Sequence, residues 1–247
     1  MPIVIPDELS LALKSARHVV ALTGAGTSAE SGVPTFREAQ SGLWSRYDPH
    51  ELATPEAFRR NPGLVWDWYN WRRSLVAEAK PNPGHYALVQ IAKRVPEFTL
   101  ITQNVDGLHQ QAGNLMVIEL HGNIMRTKCS DCGMVVSQFD DTNPGPPRCA
   151  SCPGFLRPDV VWFGENLPQK SLSRARNAAR KCDIFLSVGT SSVVHPAALL
   201  PVEALRRGVF TIEVNPERTP LSSSMTFVLA GPSGTVLPKL VRSTWSD

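Results

Sequence analysis

Val19-Val-Ala-Leu-Thr-Gly-Ala-Gly26 is the stretch of sequence that decides the fold. The apolar run at 19–23 is typical of a strand buried on both faces of a parallel sheet. Gly24 and Gly26 follow at once, and such glycines let backbone N–H groups approach a pyrophosphate at a helix start. Ala29 stands where the third glycine of the dinucleotide fingerprint would be, and no acidic ribose ligand is obvious about 20 residues on. A simple tight turn between strand and helix is the alternative.

Apolar runs and helical patterns alternate along most of the remaining chain. Further strands are predicted at 98–102, 116–120, 183–188 and 209–214, with helices between them. This alternation is typical of a parallel sheet with helices on both faces. The sequence therefore predicts an α/β fold with a Rossmann-like sheet, to which a small metal-binding module and a helical lobe are added.

Two close cysteine pairs define the inserted module. The spacing Cys129-x2-Cys132-x16-Cys149-x2-Cys152 is that of a four-thiolate zinc site. The polar loop between the pairs is rich in turn-forming residues, so a metal would have to hold it together. Four cysteines leave no ligand position open to water, which favours a structural zinc over a catalytic one. Two disulfides, or four unrelated cysteines, are the alternatives.

Composition excludes several classes of protein. The 247 residues are 42% hydrophobic and 19% charged, and the formal charge of +3 is too small to argue for nucleic acid or a membrane. We find no apolar run long enough for a transmembrane helix and no signal or transit segment. Cysteines in zinc spacing suit a reducing compartment. We therefore expect a cytoplasmic monomer that contacts neither nucleic acid nor membrane directly.

Polar side chains follow the predicted strands. Gln103, Asn104 and Asp106 follow one strand, and His121 ends the next. Ligands of open α/β sheets bind beyond the carboxyl ends of the strands, so these groups are site candidates. A histidine with an ordinary pKa of about 6.5 suits a general base, although a lone structural histidine would be the alternative.

One helix, predicted from Pro62 to about Lys80, carries tryptophans and the pair Tyr69 and Arg72. Residues three apart share a helix face. An arginine fork beside a phenol hydroxyl would make a carboxylate receptor. An aromatic core stripe with a solvated arginine is the alternative, and the two readings are evenly balanced from the residues alone.

Several motifs together resemble the sirtuins, the family of NAD-dependent protein-lysine deacylases, over nearly the whole chain. They are Gly24-Ala-Gly-Thr-Ser-Ala-Glu-Ser-Gly-Val-Pro-Thr-Phe-Arg37, Thr102-Gln-Asn-Val-Asp-Gly-Leu-His109, His121-Gly122, the cysteine pairs, Phe163-Gly-Glu165, Gly189-Thr-Ser191 and Asn215-Pro-Glu217. The resemblance implies NAD as a consumed cosubstrate and one structural zinc.

The resemblance also assigns roles to individual residues. His121 matches the catalytic base. The residues expected to contact NAD are Gly24, Ala25, Gly26, Thr27, Glu30, Phe36, Arg37, Gln103, Asn104, Asp106, Gly189, Thr190, Ser191, Asn215, Glu217 and Ser233. The substrate peptide is expected to pair as a strand with Val161, Trp162, Phe163 and Gly164.

Tyr69-x-x-Arg72 resembles the signature of sirtuins that remove acidic acyl groups, and small Ala53 would leave room for them. The implied activity is removal of succinyl, malonyl, glutaryl and also acetyl groups from protein lysines. The expected products are nicotinamide, O-acyl-ADP-ribose and free lysine. An enzyme that is mainly a deacetylase is the alternative.

The predicted domains follow from these motifs. Residues 1–35, 84–125 and 157–247 form the NAD-binding domain. Residues 36–83 form the cofactor loop and helical lobe, and 126–156 form the zinc module.

Overall fold

The structure, a computed structural model, describes residues 3–33, 47–140 and 144–245. Phe36 and Arg37 lie outside these ranges. The helices are α1 Asp7–Ser15, α2 Gly26–Ala29, α3 Pro49–Leu52, α4 Pro55–Arg60, α5 Pro62–Glu78, α6 Pro83–Ala92, α7 Leu108–Gln111, α8 Gln169–Lys181, α9 Leu199–Leu205 and α10 Ser233–Thr244. The strands are β1 His18–Thr23, β2 Glu97–Thr102, β3 Val117–Glu119, β4 Gly122–Cys129, β5 Val135–Val136, β6 Leu156–Val160, β7 Ile184–Val188, β8 Phe210–Asn215 and β9 Phe227–Ala230.

A parallel six-stranded sheet forms the centre of the fold. Its strand order is β3-β2-β1-β7-β8-β9, and every adjacent pair is parallel. The chain builds outward from β1 in one direction and from β7 in the other, so the direction of winding reverses between these two strands. Ligands of open α/β sheets bind at such a reversal. The predicted fold class is confirmed.

Helices cover both faces of this sheet, as its buried strands require. Every residue of β1 is buried. On one face Leu13, Leu88 and Leu237, from α1, α6 and α10, share a core. On the other face Ala175 of α8 and Leu200 of α9 pack against the sheet. A strand apolar on both faces therefore lies between two helical layers, as its sequence predicts.

Helix α5 forms the body of the helical lobe. The Asn61 side chain accepts a hydrogen bond from Leu64 N at 3.1 Å, and Pro62 occupies the first turn. Both residues favour a helix start. Trp66 and Trp68 are buried, which confirms the aromatic core for these tryptophans.

A second sheet, antiparallel and three-stranded, has the order β5-β4-β6. Strands β4 and β6 extend beyond the cysteine module into 122–125 and 157–160, which the sequence analysis places in the larger domain. The two strands thus continue from the NAD-binding region into the module. The division into domains stays a prediction.

Strand β9 was missed by the sequence analysis. Its four residues pair with β8 at the edge of the large sheet. So short a run, only partly buried, gives little periodic signal.

Among the described residues, every helix is too short or too polar to span a bilayer.

Gly189 lies where two backbones meet, and replacing it tests that contact. Its φ is +59°, and an added Cβ would lie 2.4 Å from Thr27 N. Gly208 has a similar φ of +69° but nothing within 4 Å of an added Cβ. We expect Gly189→Ala to lower the free energy of unfolding by roughly 2 kcal/mol more than Gly208→Ala, because only the former adds a clash to the backbone strain. Equal losses in urea titrations would contradict this packing.

Candidate active site

Two glycine loops meet at the carboxyl ends of β1 and β7. Gly24 N donates to Val188 O at 3.0 Å, and Gly26 N donates to Gly189 O at 2.9 Å. A Cβ on Gly24 would lie 2.8 Å from Gly189 O and from Thr190 Cβ. Only residues without a side chain permit this approach, which brings the backbones of the two loops into contact where the winding reverses. The loop lies at the sheet edge where such folds bind ligands, and its contact with a pyrophosphate stays a prediction.

Glu30 and Ser233 lie against each other behind this loop. Gly234 N donates to Glu30 Oε2 at 2.7 Å, and Ser233 Oγ lies 3.4 Å from the same oxygen. The carboxylate thus stabilises the N-terminus of α10. Ser233 is only 2% exposed. Contact of either residue with NAD stays a prediction, since both side chains already have partners within the protein.

The polar groups after β2 connect the two loops. Gln103 Nε2 donates to Thr190 Oγ1 at 2.8 Å. Asn104 Nδ2 lies 3.0 Å from both Gly24 O and Ser28 Oγ. The structure thus gathers three predicted segments at one edge of the sheet. Ser28 was not singled out from the sequence, although it lies within the glycine motif and is buried.

Asp106 is buried beneath these groups. Burial raises the pKa of its carboxyl, and a hydrogen bond donated by Leu108 N at 2.9 Å partly opposes the rise. The hydrogen bond also fixes the start of α7. Asp106 can therefore hold a polar ligand group in a fixed position.

His121 is fixed by a backbone carbonyl. Its Nδ1 lies 2.8 Å from Gln103 O. Because a carbonyl only accepts, Nδ1 carries the hydrogen and Nε2 keeps its lone pair. Burial lowers the pKa of the imidazole, although the Gln103 hydrogen bond raises it in part. The side chain is therefore neutral at pH 7 and suited to accept a proton.

The remaining predicted NAD residues lie after β7 and β8. Asn215 Nδ2 donates to Thr190 O at 3.1 Å, which joins these two loops. Glu217 is exposed and Ser191 is half-buried. Ser192, which the sequence analysis did not assign, has a φ of +57°. Positive φ is uncommon for serine and points to a constrained loop at this edge of the sheet.

The segment expected to pair with substrate continues directly from β6. Val161 N donates to His121 O, and Phe163 N donates to Ala53 O, each at 2.9 Å. Phe163 is 42% exposed, and Gly164 is exposed with a φ of +86°. The segment thus joins the candidate base to the helical lobe. Peptide pairing along it stays a prediction.

A buried ion pair shapes this segment. Arg157 donates to both carboxylate oxygens of Glu165, at 2.6 and 2.9 Å, and its guanidinium lies 3.2 Å from the centre of the Trp162 ring. Glu165 also accepts from Trp162 N at 2.8 Å. Despite burial, which opposes it, the Arg157 hydrogen bond holds the pKa of the Glu165 carboxyl below its ordinary value. Opposite charges eight residues apart at the ends of an apolar run were the available signal for this pair.

Tyr69 and Arg72 of α5 lie beside Trp162. Trp162 Nε1 donates to the Tyr69 hydroxyl at 2.9 Å, and Tyr69 is 2% exposed. Burial raises the pKa of Tyr69 to about 12, with the Arg72 charge opposing it. Burial likewise lowers the pKa of Arg72. Arg72 is half-buried, and its guanidinium lies 5.1 Å from the centre of the Trp68 ring.

The four cysteines of the module converge on one point. Their sulfur atoms all lie within 4.8 Å of one another, with Cys129 and Cys152 3.4 Å apart and Cys132 and Cys149 3.9 Å apart. Zinc–sulfur bonds of about 2.3 Å in a tetrahedron place the sulfurs about 3.8 Å apart. A disulfide requires about 2.05 Å, and all four thiols are free. The set fits one structural zinc and excludes the two-disulfide alternative.

The metal site is packed against the helical lobe. Trp66 of α5 shares a small core with Cys129, Cys149 and Leu156. Arg73, also on α5, donates to Ile124 O at 2.7 Å on β4. The zinc module therefore supports α5, which carries Tyr69 and Arg72, and acts on the site through packing.

Comparison with known proteins identifies the family. The Sir2 family profile matches residues 24–196. A relative from Aquifex aeolicus, named an NAD-dependent protein deacylase, is 56% identical over 206 residues, 83% of this chain and 86% of that protein. One of the same name from Methylococcus capsulatus is 47% identical over 245 residues, covering 96% of each chain. The chain belongs to the Sir2 family, the sirtuins.

Solved structures of Sir2 proteins have the same fold as this chain. A Sir2 homolog–NAD complex is similar with a TM-score of 0.91 and 43% identity, over 98% of this chain and 94% of that one. A Sir2–p53 peptide–NAD+ complex gives a TM-score of 0.86 at 31% identity, over 97% and 98%.

Loss of one thiolate tests the role of the metal. We expect Cys129→Ser to lose zinc, to lower hydrogen-exchange protection along β4 and around Trp66, and to reduce activity indirectly. Cys182→Ser is the matched control, because Cys182 lies outside the cluster and its thiol donates to Ala179 O at 3.4 Å. Zinc content and exchange are measured on both variants. A zinc-free Cys129→Ser protein with full stability and activity would show that the metal is dispensable.

Two buried histidines beneath the site predict acid sensitivity. His109 Nε2 lies 2.8 Å from Thr23 Oγ1, and the His85 and His109 rings are 4.7 Å apart. Burial, with a smaller contribution from His85, lowers the pKa of His109 to about 3, and burial lowers that of His85 to about 4. Below pH 6.5 both histidines bind protons in the unfolded chain but stay neutral in the native state, so the free energy of unfolding falls. Each histidine contributes about 2 kcal/mol to this loss by pH 5.

The measurement is urea denaturation at pH 7.5 and pH 5. In His109→Gln the difference in unfolding free energy between the two pH values should shrink by about 2 kcal/mol. His195→Gln is the control, because His195 is exposed. An unchanged pH dependence in His109→Gln would contradict the neutral buried state.

Proposed function

We propose that this sirtuin, an NAD-dependent protein deacylase, removes acidic acyl groups such as succinyl, malonyl and glutaryl from protein lysines, and acetyl groups as well. The observation that carries the proposal is the hydrogen bond from buried Trp162, in the segment that follows β6, to buried Tyr69, which lies one helix turn before half-buried Arg72. The protonation states of Tyr69 and Arg72 favour an acyl chain that ends in a carboxylate, and the neighbouring Val161 N donates to the backbone of the candidate base.

The protonation states suit a carboxylate receptor. With a pKa of about 12, the Tyr69 phenol keeps its proton at neutral pH and can donate it. Since Trp162 Nε1 already donates to the Tyr69 oxygen, the phenol proton points elsewhere. Arg72 is a partly desolvated cation, and a carboxylate would offset the cost that burial imposes on its charge. The two donors would thus bind the distal acid of a dicarboxylic acyl group.

Ala53 follows α3 and shares a core with Tyr69 and Trp162. Ala53 is 3% exposed, and its carbonyl accepts from Phe163 N. A small side chain here would leave room for an acyl chain that a bulkier side chain would fill. Acetyl-lysine would also enter this space without engaging Arg72, which supports dual activity.

The residues at the sheet edge support the chemistry. Bound NAD supplies an acyl acceptor and a leaving group, so the products are O-acyl-ADP-ribose, nicotinamide and free lysine. His121 Nε2 accepts a proton, because Gln103 O holds the hydrogen on Nδ1. Gln103 and Asn104 orient the nicotinamide half, and the glycine loops bind the pyrophosphate. Val161 to Gly164 position the acyl-lysine peptide.

Nicotinamide release tests the activity. Purified protein with NAD and a succinyl-lysine peptide should release nicotinamide, and His121→Ala should lower the rate by about 100-fold or more. His195→Ala is the control on an exposed histidine. Equal rates for His121→Ala and the parent would overturn the assigned base. Accumulation of reduced cofactor would indicate hydride transfer instead.

Acyl preference is tested by kcat/KM on succinyl and acetyl peptides in competition. Arg72→Met should lower kcat/KM for the succinyl peptide by roughly 30-fold or more, since one partner of a desolvated charge pair is lost. The acetyl value should change by less than about threefold, because acetyl has no distal charge. Equal losses on both peptides would overturn the receptor role of Arg72, and a parent kcat/KM that is higher on the acetyl peptide would favour the alternative, an enzyme that is mainly a deacetylase.

Trp162→Phe isolates the hydrogen bond to Tyr69. It keeps an aromatic ring but removes the indole donor, so the Tyr69 hydroxyl loses its fixed orientation. We expect a loss of about fivefold to tenfold in kcat/KM on the succinyl peptide, with the acetyl value nearly unchanged. A matched loss on both peptides would assign Trp162 to peptide binding alone.

A further inference from the structure

Helix α8 presents a surface of one charge sign to solvent. Its sequence, Gln169-Lys-Ser-Leu-Ser-Arg-Ala-Arg-Asn-Ala-Ala-Arg-Lys181, contains no acidic residue. Ala175, Ala178 and Ala179 face the sheet and are buried. The exposed face carries Lys170, Arg174, Arg176, Arg180 and Lys181.

A depression lies along each side of this helix. One, of about 520 Å³, lies between α8 and the amino ends of the strands and adds Arg17 to Arg174 and Lys181. The other, of about 300 Å³, lies between α8 and α9 and adds Arg206 and Arg207. We name α8 with its two flanks the basic ridge.

Three carboxylates lie on the basic ridge, and two of them, Glu203 and Asp183, accept hydrogen bonds. Glu203 accepts from Arg176 at 2.6 Å and from Arg180 at 2.8 Å. Asp183 accepts from the backbone N–H groups of Arg17 and His18, each at 2.8 Å. Glu97 lies 3.6 Å from the His18 ring.

The charge excess of the basic ridge exceeds that of the whole protein. Its eight cations outnumber its three carboxylates by five, whereas the whole chain has a formal charge of +3. The rest of the molecule is therefore net negative. The formal charge of the whole chain, which argued against nucleic acid, therefore does not show that positive charge is concentrated on one surface. A localised basic surface is typical of a site that binds a polyanion.

We propose that the basic ridge binds the phosphate backbone of duplex DNA without sequence preference. An α-helix of about 10–12 Å diameter fits a major groove about 12 Å wide, and cations on both flanks would then reach both strands. Six of the eight cations are arginines, which bind phosphate oxygens bidentately.

Other polyanions fit this surface less well. The exposed face of α8 carries no aromatic residue on which unpaired bases could stack. It also carries no apolar residue, which a helix in a membrane interface requires. The C-terminus of α8 leads into β7 at its amino end, opposite the sheet edge that carries His121. Duplex binding therefore leaves the acyl-lysine site open.

The test measures anisotropy of a fluorescein-labelled random 20-base-pair DNA duplex in 50–200 mM NaCl. We expect salt-sensitive binding by the full chain. Lys170→Glu/Arg174→Glu/Lys181→Glu should weaken it by about tenfold or more and flatten the salt dependence. The matched control, Arg60→Glu/Lys80→Glu/Lys93→Glu, changes net charge equally at exposed positions off the ridge and should change affinity by less than about threefold.

Folding of each variant is monitored by thermal unfolding and by deacylation of a short peptide, which duplex should not inhibit. The milder variant Lys170→Gln/Arg174→Gln/Lys181→Gln should also lose affinity for the duplex, but less than the corresponding Glu variant. The proposal is overturned if the parent does not bind duplex at 50 mM NaCl, or if both Glu triples weaken binding equally. Tighter binding to single strands, or to phosphatidylserine vesicles at equal phosphate, also overturns it.

Discussion

The backbone contact between the Gly24–Gly26 loop and Gly189 is the constraint on which the active site depends. It closes the space between β1 and β7, where the direction of the sheet reverses. Gln103 reaches across to Thr190, and Asn104 reaches to Gly24. His121 in turn takes its orientation from Gln103 O. A shift of either loop would therefore be passed on to the candidate base.

The second organising interaction is the ion pair of Arg157 and Glu165. A buried pair is costly unless further hydrogen bonds satisfy its remaining atoms. Here Arg157 donates to Val160 O and Glu165 accepts from Trp162 N, whereas Arg157 Nε has no hydrogen-bond partner among the described residues. The bonds that are made shape the chain between β6 and α8. Folding of the small sheet is thereby connected to the placement of the segment that faces His121 and Ala53. The zinc site supports α5 through Trp66, which packs against Cys129 and Cys149.

Much of this architecture could be predicted from sequence because its signals are local. The apolar run before Gly24 and the spacing of the cysteines each depend on neighbouring residues. By contrast, Glu30 meets the start of α10 across 204 positions, and Trp162 meets Tyr69 across 93. Such pairings depend on how layers pack, and no periodicity reports them. The extension of β4 and β6 beyond the predicted module was missed for the same reason, since antiparallel pairing across the cysteine loop is a tertiary property.

Trp162 belongs to both of the surfaces proposed to recognise the substrate. Its backbone lies in the segment proposed to pair with the peptide, and its indole N–H binds the hydroxyl proposed to recognise the acyl group. Trp162 would thus contact both the peptide around the lysine and the acyl group on the lysine, so the two contacts would depend on each other. Selectivity for acyl groups in such an enzyme is then a joint property of modification and peptide, and rankings obtained on different peptides need not agree.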